Sequence, residues 1–279
     1  MEHAMLLEQE QRNIFSQRTH TGRILLTEAQ IYQGNLVLVN QKHPVRHGLS
    51  GEELCSVFTE QPEILMEKNS AKMLQKLLKH SEYLFFSQLE RDDIQLSRRI
   101  VGVSGYRARS EQVKIFNDSL KENGREFTEK YVAFPDHSEH QTGLAIDLAK
   151  EQAEIDFIRP DFPNEGICRR FREQAAEFGF VERYKSEKQK ITGIGAEPWH
   201  FRYVGKPHAE IMEKTGMALE EYIQWLKQFD LTVHPLTWKH YRIGYLRARG
   251  PVTEWKGLAA WPEISGNNAD GFIITTAAL

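Results

Sequence analysis

The sequence holds only two cysteines, Cys55 and Cys168, in 279 residues. Two are too few for a disulfide framework. Each lies among apolar neighbours, where a free thiol packs as a small hydrophobe, so both are expected to be reduced core residues. An excess of charge is missing as well. The formal net charge is -3 and the pI near 6.4, which leaves no basic surplus to neutralise a phosphate backbone; no nucleic-acid partner is expected. No stretch approaches the roughly 18 apolar residues that span a bilayer, and no membrane segment is expected. The opening run, Met1-Glu-His-Ala-Met-Leu-Leu-Glu-Gln-Glu-Gln-Arg12, lacks the basic and then apolar regions of a secretory leader. The expectation is a cytoplasmic protein, although an exported or membrane-anchored chain trimmed of its leader would read the same. Internal repeats and low-complexity tracts are also lacking.

What is present is an ordinary globular balance, 40% hydrophobic and 27% charged, in a chain long enough for one generous domain with a small appendage. Residues 1–21 are polar and read as a lead-in. From Gly22 the pattern turns apolar, and Asn35-Leu-Val-Leu-Val-Asn40 reads as a short strand ending near His43-Pro44. Residues 69–90 carry the first helical stripe, Met73, Leu77 and Leu84 with Leu74, Leu78 and Phe85 beside it. Arg99-Ile-Val-Gly-Val-Ser104 suits a buried strand. A helix capped by Ser110 and stopped by Gly124 is expected next, with Val113, Phe116 and Leu120 on one face. Another runs from about Glu165 to Phe178, closed by Gly179, and strands are expected at Phe180–Tyr184 and Trp199–Val204. Helices and strands arrive in separate clusters without a βαβ rhythm, which predicts an α+β fold with a small central antiparallel sheet flanked by helices. Residues 208–229 read as two helical pieces parted near Gly216. Short strands follow at Tyr241–Leu246 and Gly271–Thr276, with turn chemistry at Gly266–Asp270. Trp225, Trp238, Trp255 and Trp261 all fall in this last part and are expected in a small β-rich core or its interface, rather than on a glycan.

Two segments stand out chemically. In Ser138-Glu-His140-Gln-Thr-Gly143-Leu-Ala145-Ile-Asp147 a turn at Gly143 would lead into a strand. Leu144, Ile146 and Leu148 would then enter the core while Ala145 and Asp147 face the other side. Downstream, Glu197-Pro198-Trp199-His200 sets a carboxylate three residues before a histidine. His140, Asp147 and His200 offer two imidazoles and one carboxylate, a set that leaves the fourth tetrahedral position of zinc open. Glu197 would stand nearby as a proton acceptor. Spacing alone does not separate a metal site from residues with structural roles.

The paired pattern Ser138-x-His140-x-x-Gly143-x-Ala145-x-Asp147 and Glu197-x-Trp199-His200 resembles the signature of the LAS peptidases. That group contains VanY-type D-Ala-D-Ala carboxypeptidases, VanX-type dipeptidases and bifunctional VanXY enzymes. The similarity runs from about Leu36 to Tyr203 and is nearest to the VanY and VanXY versions. It implies the LAS/Hedgehog-like peptidase fold, with a zinc D,D-peptidase domain over residues 22–207 and a helical linker with a β-rich appendage over 208–279. It implies Zn2+ as cofactor, held by His140, Asp147 and His200, with Glu197 as general base. Ser104-Gly-Tyr106-Arg107 matches the segment whose arginine stabilises an oxyanion. Ser138, Gln112, Tyr106 and Trp199 match substrate-binding positions, Ser138 and Gln112 toward the terminal carboxylate. Ser138 could instead be a local turn cap.

The implied activity is hydrolysis of the terminal D-Ala-D-Ala bond of peptidoglycan precursor stems, with free D-Ala-D-Ala as a second substrate if the chain is VanXY-like. A non-catalytic zinc module like the Hedgehog signalling domain is the reading from a different class; it is expected to lack the base or the arginine, and this chain has both. One departure stands out. The family commonly shows Pro-Gly-x-Ser before the Glu-His pair, whereas this chain has Pro135-Asp136-His137-Ser138. Loss of that glycine removes easy access to positive φ, so a different loop shape is expected, and His137 becomes an alternative ligand in principle.

Overall fold

The structure is a computed structural model that describes residues 17–18, 23–87, 99–256 and 262–277. In chain order the first elements are β1 (Gln17–Arg18), β2 (Arg23–Thr27), β3 (Leu54–Ser56), β4 (Leu65–Glu67), α1 (Lys68–Ser87), β5 (Ile100–Ser104), α2 (Arg109–Tyr131) and β6 (Ala145–Lys150). Then come α3 (Gly166–Gln174), β7 (Phe180–Tyr184), α4 (Gln189–Thr192), β8 (Glu197–Tyr203), α5 (His208–Thr215) and α6 (Leu219–Leu226). The last strands are β9 (Leu236–Trp238), β10 (Tyr241–Arg247), β11 (Val252–Lys256), β12 (Glu263–Gly266) and β13 (Gly271–Ala277). Two compact units result. Val39–Tyr222 forms one; the described residues up to Leu38 and from Ile223 onward form the other.

The unit Val39–Tyr222 is built on a four-stranded antiparallel sheet in the order β5-β6-β8-β7. Helix α1 buries Ala71, Leu74, Leu77 and Ser81, a three- and four-residue spacing that keeps one stripe inward, and it packs against α3. Phe162, Phe171 and Phe201 meet edge to face with centroids 4.9–5.6 Å apart, a favourable ring geometry. Helix α2 departs from its expected cap. Its first turn starts after Ala108, which makes no side-chain cap bond, and Gly124, at φ 78°, splits it into two helical pieces. Cys55 and Cys168 are both free thiols, and burial pushes the Cys168 thiol up to about 12.

The other unit holds the sheet β12-β13-β10-β9 and the sheet β1-β2-β11. Its core joins Ile24, Leu26 and Ile31 to Trp255, Ile264, Phe272 and Ile274. The boundaries expected from chain order, 22–207 and 208–279, differ from this division. β2 pairs with β11, a contact across most of the chain that no local pattern reveals, while α5 and the start of α6 lie with the first unit. The expected strand at Asn35–Asn40 is a correction. Leu36, Val37, Leu38 and Val39 are buried but irregular, because their polar backbone is satisfied otherwise: Leu36 N–H donates to Ser265 Oγ and Leu38 O accepts from Asn268 Nδ2. Trp255 is a core residue of this unit, as expected, and Trp261 lies outside the described residues. No described helix is long and apolar enough to cross a membrane.

Candidate active site

The site grows from the sheet β5-β6-β8-β7, where two irregularities re-aim side chains. On a regular strand Glu197 and His200, three apart, would face opposite ways. Between the pairs Glu182–Phe201 and Tyr184–Glu197 the register shifts, so that β8 advances further than β7. The resulting bulge brings both side chains to one cleft, the use to which bulges beside active sites are commonly put. A second shift, between Gly102 and Ser104 on β5, sets Ser104 beside Asp147. Asp147 is also the direct partner of His200 across β6 and β8.

His140 arrives on a 3-10 turn, Glu139–Thr142, closed by Gly143 at φ 67°. A side chain at Gly143 would stand 2.7 Å from Leu49 Cδ1 and 3.0 Å from Glu67 N, so both backbone conformation and space require glycine there. Arg107 follows β5 directly.

These pieces converge on a cleft lined among others by Arg107, Ser138, His140, Asp147, Glu197, Trp199 and His200. His140, Asp147 and His200 offer ligand atoms within 4.8 Å of one another. The two histidines present opposite nitrogens. His140 Nε2 lies 3.1 Å from Asp147 Oδ2, and its Nδ1 is 2.7 Å from Gly105 O. A carbonyl can only accept, so Nδ1 carries the proton and the Nε2 lone pair is free for a cation. His200 turns Nδ1 inward, 3.0 Å from Asp147 Oδ1 and 3.7 Å from Glu197 Oε2. Two imidazoles and a carboxylate, each buried, with a fixed tautomer at His140, fit a divalent ion of the zinc type. Arg107 donates through Nη2 to Asp147 Oδ2 at 2.8 Å and through Nε to Ser104 Oγ at 2.6 Å.

Burial dominates the electrostatics. It pushes the Glu197 carboxyl up to about 8, the range in which a carboxylate both accepts and returns a proton near neutrality. Burial and the Arg107 charge hold His140 down at about 4. His200 resists the same burial because the nearby carboxylates of Asp147 and Glu139 outweigh it, placing the ring at about 9. For Asp147, burial is outweighed by the two imidazoles, which keep the carboxyl well below its usual range.

A family model for VanY, D-alanyl-D-alanine carboxypeptidase, matches residues 65–206. The chain belongs to the VanY D-alanyl-D-alanine carboxypeptidase family. The bifunctional D-Ala-D-Ala dipeptidase and D-Ala-D-Ala carboxypeptidase VanXYC of Enterococcus gallinarum is 38% identical over 194 residues, 69% of this chain and 95% of that protein. The vancomycin resistance D,D-dipeptidase VanXYg, solved in complex with a D-Ala-D-Ala phosphinate analog, matches with TM-score 0.82 and 44% identity over 91% of this chain and 98% of that one. A variant of the D,D-pentapeptidase VanY from the VanB-type cassette, solved with Zn(II), matches with TM-score 0.52 and 27% identity over 68% of this chain and 98% of that one. The likeness to VanXYg therefore reaches beyond the expected span of Leu36–Tyr203 into the second unit.

In this VanY-family chain the cleft gathers His140, Asp147, His200, Glu197, Arg107, Ser138 and Trp199. Two residues expected at the substrate do not line the cleft. Gln112 is wholly buried behind Arg107, donating to Ala133 O and accepting at 3.5 Å from Arg107 Nη1. Tyr106 does not line the cleft; its backbone N–H is spent on Leu65 O. Ser138 precedes the 3-10 turn without a side-chain cap bond, which leaves the turn-cap alternative without support.

The departure at Asp136 resolves simply. Asp136 takes φ 67° itself, a region aspartate tolerates better than most residues, with its N–H donated to Gln141 Oε1 and its carboxylate paired to Arg109. His137 turns its ring to Asn40 O at 2.7 Å and stands outside the ligand group. Sequence reasoning missed Glu139, which is buried against Arg183 and Arg202, and Ser104, which holds Arg107. A charged residue inside an otherwise buried motif was the available signal for the first.

Proposed function

We propose that this VanY-family chain is a zinc-dependent D-alanyl-D-alanine peptidase that hydrolyses the terminal D-Ala-D-Ala bond of peptidoglycan precursor stems. The observation that carries this reading is the convergence of His140, Asp147 and His200 with Glu197 in one buried cleft. The three ligands hold the zinc, which when bound supplies Lewis acidity to the scissile carbonyl and the attacking water. Glu197 accepts the proton of that water and returns it to the departing D-alanine amine, the double role of a general acid–base carboxylate. Arg107, fixed by Ser104, Asp147 and Gln112, presents a guanidinium that cannot lose its charge and offsets the developing oxyanion. Ser138 offers its hydroxyl to the substrate's terminal carboxylate, and Trp199 packs the cleft. Gln112 acts from behind, orienting Arg107. The presence of both Glu197 and Arg107 in the cleft supports an enzyme over a non-catalytic zinc module.

A second activity, on the free dipeptide, is favoured by the degree of the likeness to VanXYg and VanXYC. They are 44% and 38% identical to this chain over the matched residues, against 27% for the VanB-type VanY. The test is D-alanine release from a stem pentapeptide and from D-Ala-D-Ala, side by side, with and without a chelator. Chelator-sensitive release from both, restored by zinc, is expected. Release from the pentapeptide alone removes the dipeptidase reading, and no chelator-sensitive release from either sinks the peptidase.

A further inference from the structure

The cleft's ligands have unequal support. His140 is oriented by a backbone carbonyl, but His200 points Nε2 into a closed cluster of charged side chains. Glu139 Oε2 stands 3.5 Å from that nitrogen, and neither buried atom has a hydrogen-bond partner of its own. The other oxygen of Glu139 is held twice: it accepts from Arg183 Nε at 2.9 Å and forms an ion pair with Arg202 Nη1 at 2.8 Å. Arg183 in turn gives the rest of its fork to Glu220, at 3.0 and 2.7 Å. The side chains of Glu139, Arg183 and Arg202 are at most 1% exposed. Two carboxylates and two guanidiniums balance in charge, which is what so buried a cluster requires. The arginines pin one oxygen and thereby aim the other.

We propose that Glu139 is a positioning residue for the metal site: its Oε2 accepts the Nε2–H of His200 and so fixes the tautomer that offers Nδ1 to the ion. A carboxylate behind a ligating imidazole sets the ring's orientation and raises its basicity, and removing such a partner typically weakens metal binding by 10–100-fold. The inference rests on the metal reading of His140, Asp147 and His200. It adds that Arg183 and Arg202, by holding one oxygen of Glu139, aim the other at His200.

The experiment compares zinc affinity, by competition with a chromophoric chelator, in the unaltered protein, in E139Q and in E220Q. Each substitution removes one negative charge from the same cluster, but only E139Q sets an amide against His200. Zinc binding about 10–100-fold weaker in E139Q, with E220Q near the parental affinity although less stable to heat, is expected. Parental affinity in a folded E139Q overturns the proposal, as does an equal loss in both variants, which marks the cluster as structural only. If the unaltered protein binds no zinc, the metal reading itself falls and takes this one with it. Should E139Q not fold, the 15N spectrum of the histidines in the unaltered zinc-loaded protein decides. A proton on His200 Nε2 supports the role of Glu139, and a proton on Nδ1 overturns it.

Discussion

Asp147 and His200 face each other across adjacent strands with Oδ1 3.0 Å from Nδ1, while the second oxygen of Asp147 is shared by His140 at 3.1 Å and Arg107 at 2.8 Å. One carboxylate thus joins both imidazoles to the cation of the site. Without it, two buried basic groups would face each other across the place where a positive ion should sit. Such removal of one member of a buried charged group is strongly destabilising, typically about 3–5 kcal/mol.

Asp147→Asn is therefore expected to fail twice. The variant should retain little zinc after purification, and its metal-free form should melt several degrees below the metal-free parent. Elemental analysis and thermal denaturation read the two effects separately. Stoichiometric zinc in this variant would show that Asp147 is not a ligand.

Glu197→Gln should separate chemistry from metal binding. Glu197 Oε2 is 3.7 Å from His200 Nδ1, near the ligands without belonging to the group they form. The amide preserves volume and cannot take a proton, so turnover should drop by about the 10²–10⁴-fold that general acid–base catalysis contributes. Zinc content should stay at the parental level. Parental rates of D-alanine release from the zinc-loaded variant would remove Glu197 as the base.

Much of this was legible because local chemistry dictated it. The Ser138–Asp147 run could be read as turn, glycine stop and strand, since Gly143 must adopt a positive φ and Ile146 and Leu148 must be buried. What escaped was long-range. Nothing local says that β8 carries a bulge, yet only the bulge lets Glu197 and His200 share a cleft. The depth of Gln112 behind Arg107 depends on how α2 packs, not on the spacing of the motif. Leu36–Val39 shows the limit of apolar runs: burial was evident, but its hydrogen-bond partners lie over two hundred residues away in sequence.

The metal-free protein should lose stability as pH rises above neutrality. His200 holds its proton to about 9 and Glu197 to about 8, against ordinary values of 6.5 and 4.5. A folded value raised above the unfolded one gives stability that is present at low pH and lost as pH climbs through the folded value. Above about pH 7 the unfolded chain has already released both protons, and only the native state still holds them. Each costs up to roughly 1.4 kcal/mol per pH unit until its folded value is passed, near pH 8 for Glu197 and near pH 9 for His200. The melting temperature of chelator-treated protein should fall by several degrees over this range. The zinc-loaded form should respond less, because an ion at Nδ1 takes the place of the His200 proton. A flat profile without metal would contradict the raised values.

Deleting residues 232–279 should damage more than an appendage. The deletion removes β11, the strand paired with β2, and with it Trp255, Ile264, Phe272 and Ile274, which close the core over Ile24, Leu26 and Ile31. Leu26, now wholly buried, would lose its covering, and exposing several such side chains at about 1.5–3 kcal/mol each exceeds what a small unit can absorb. Residues 23–38 should consequently become open to protease in the shortened chain while resisting it in the full one. Limited proteolysis followed by mass analysis of the fragments reads this directly. Equal resistance of that segment in both chains would mean that the N-terminal strand is held by something other than its pairing with β11.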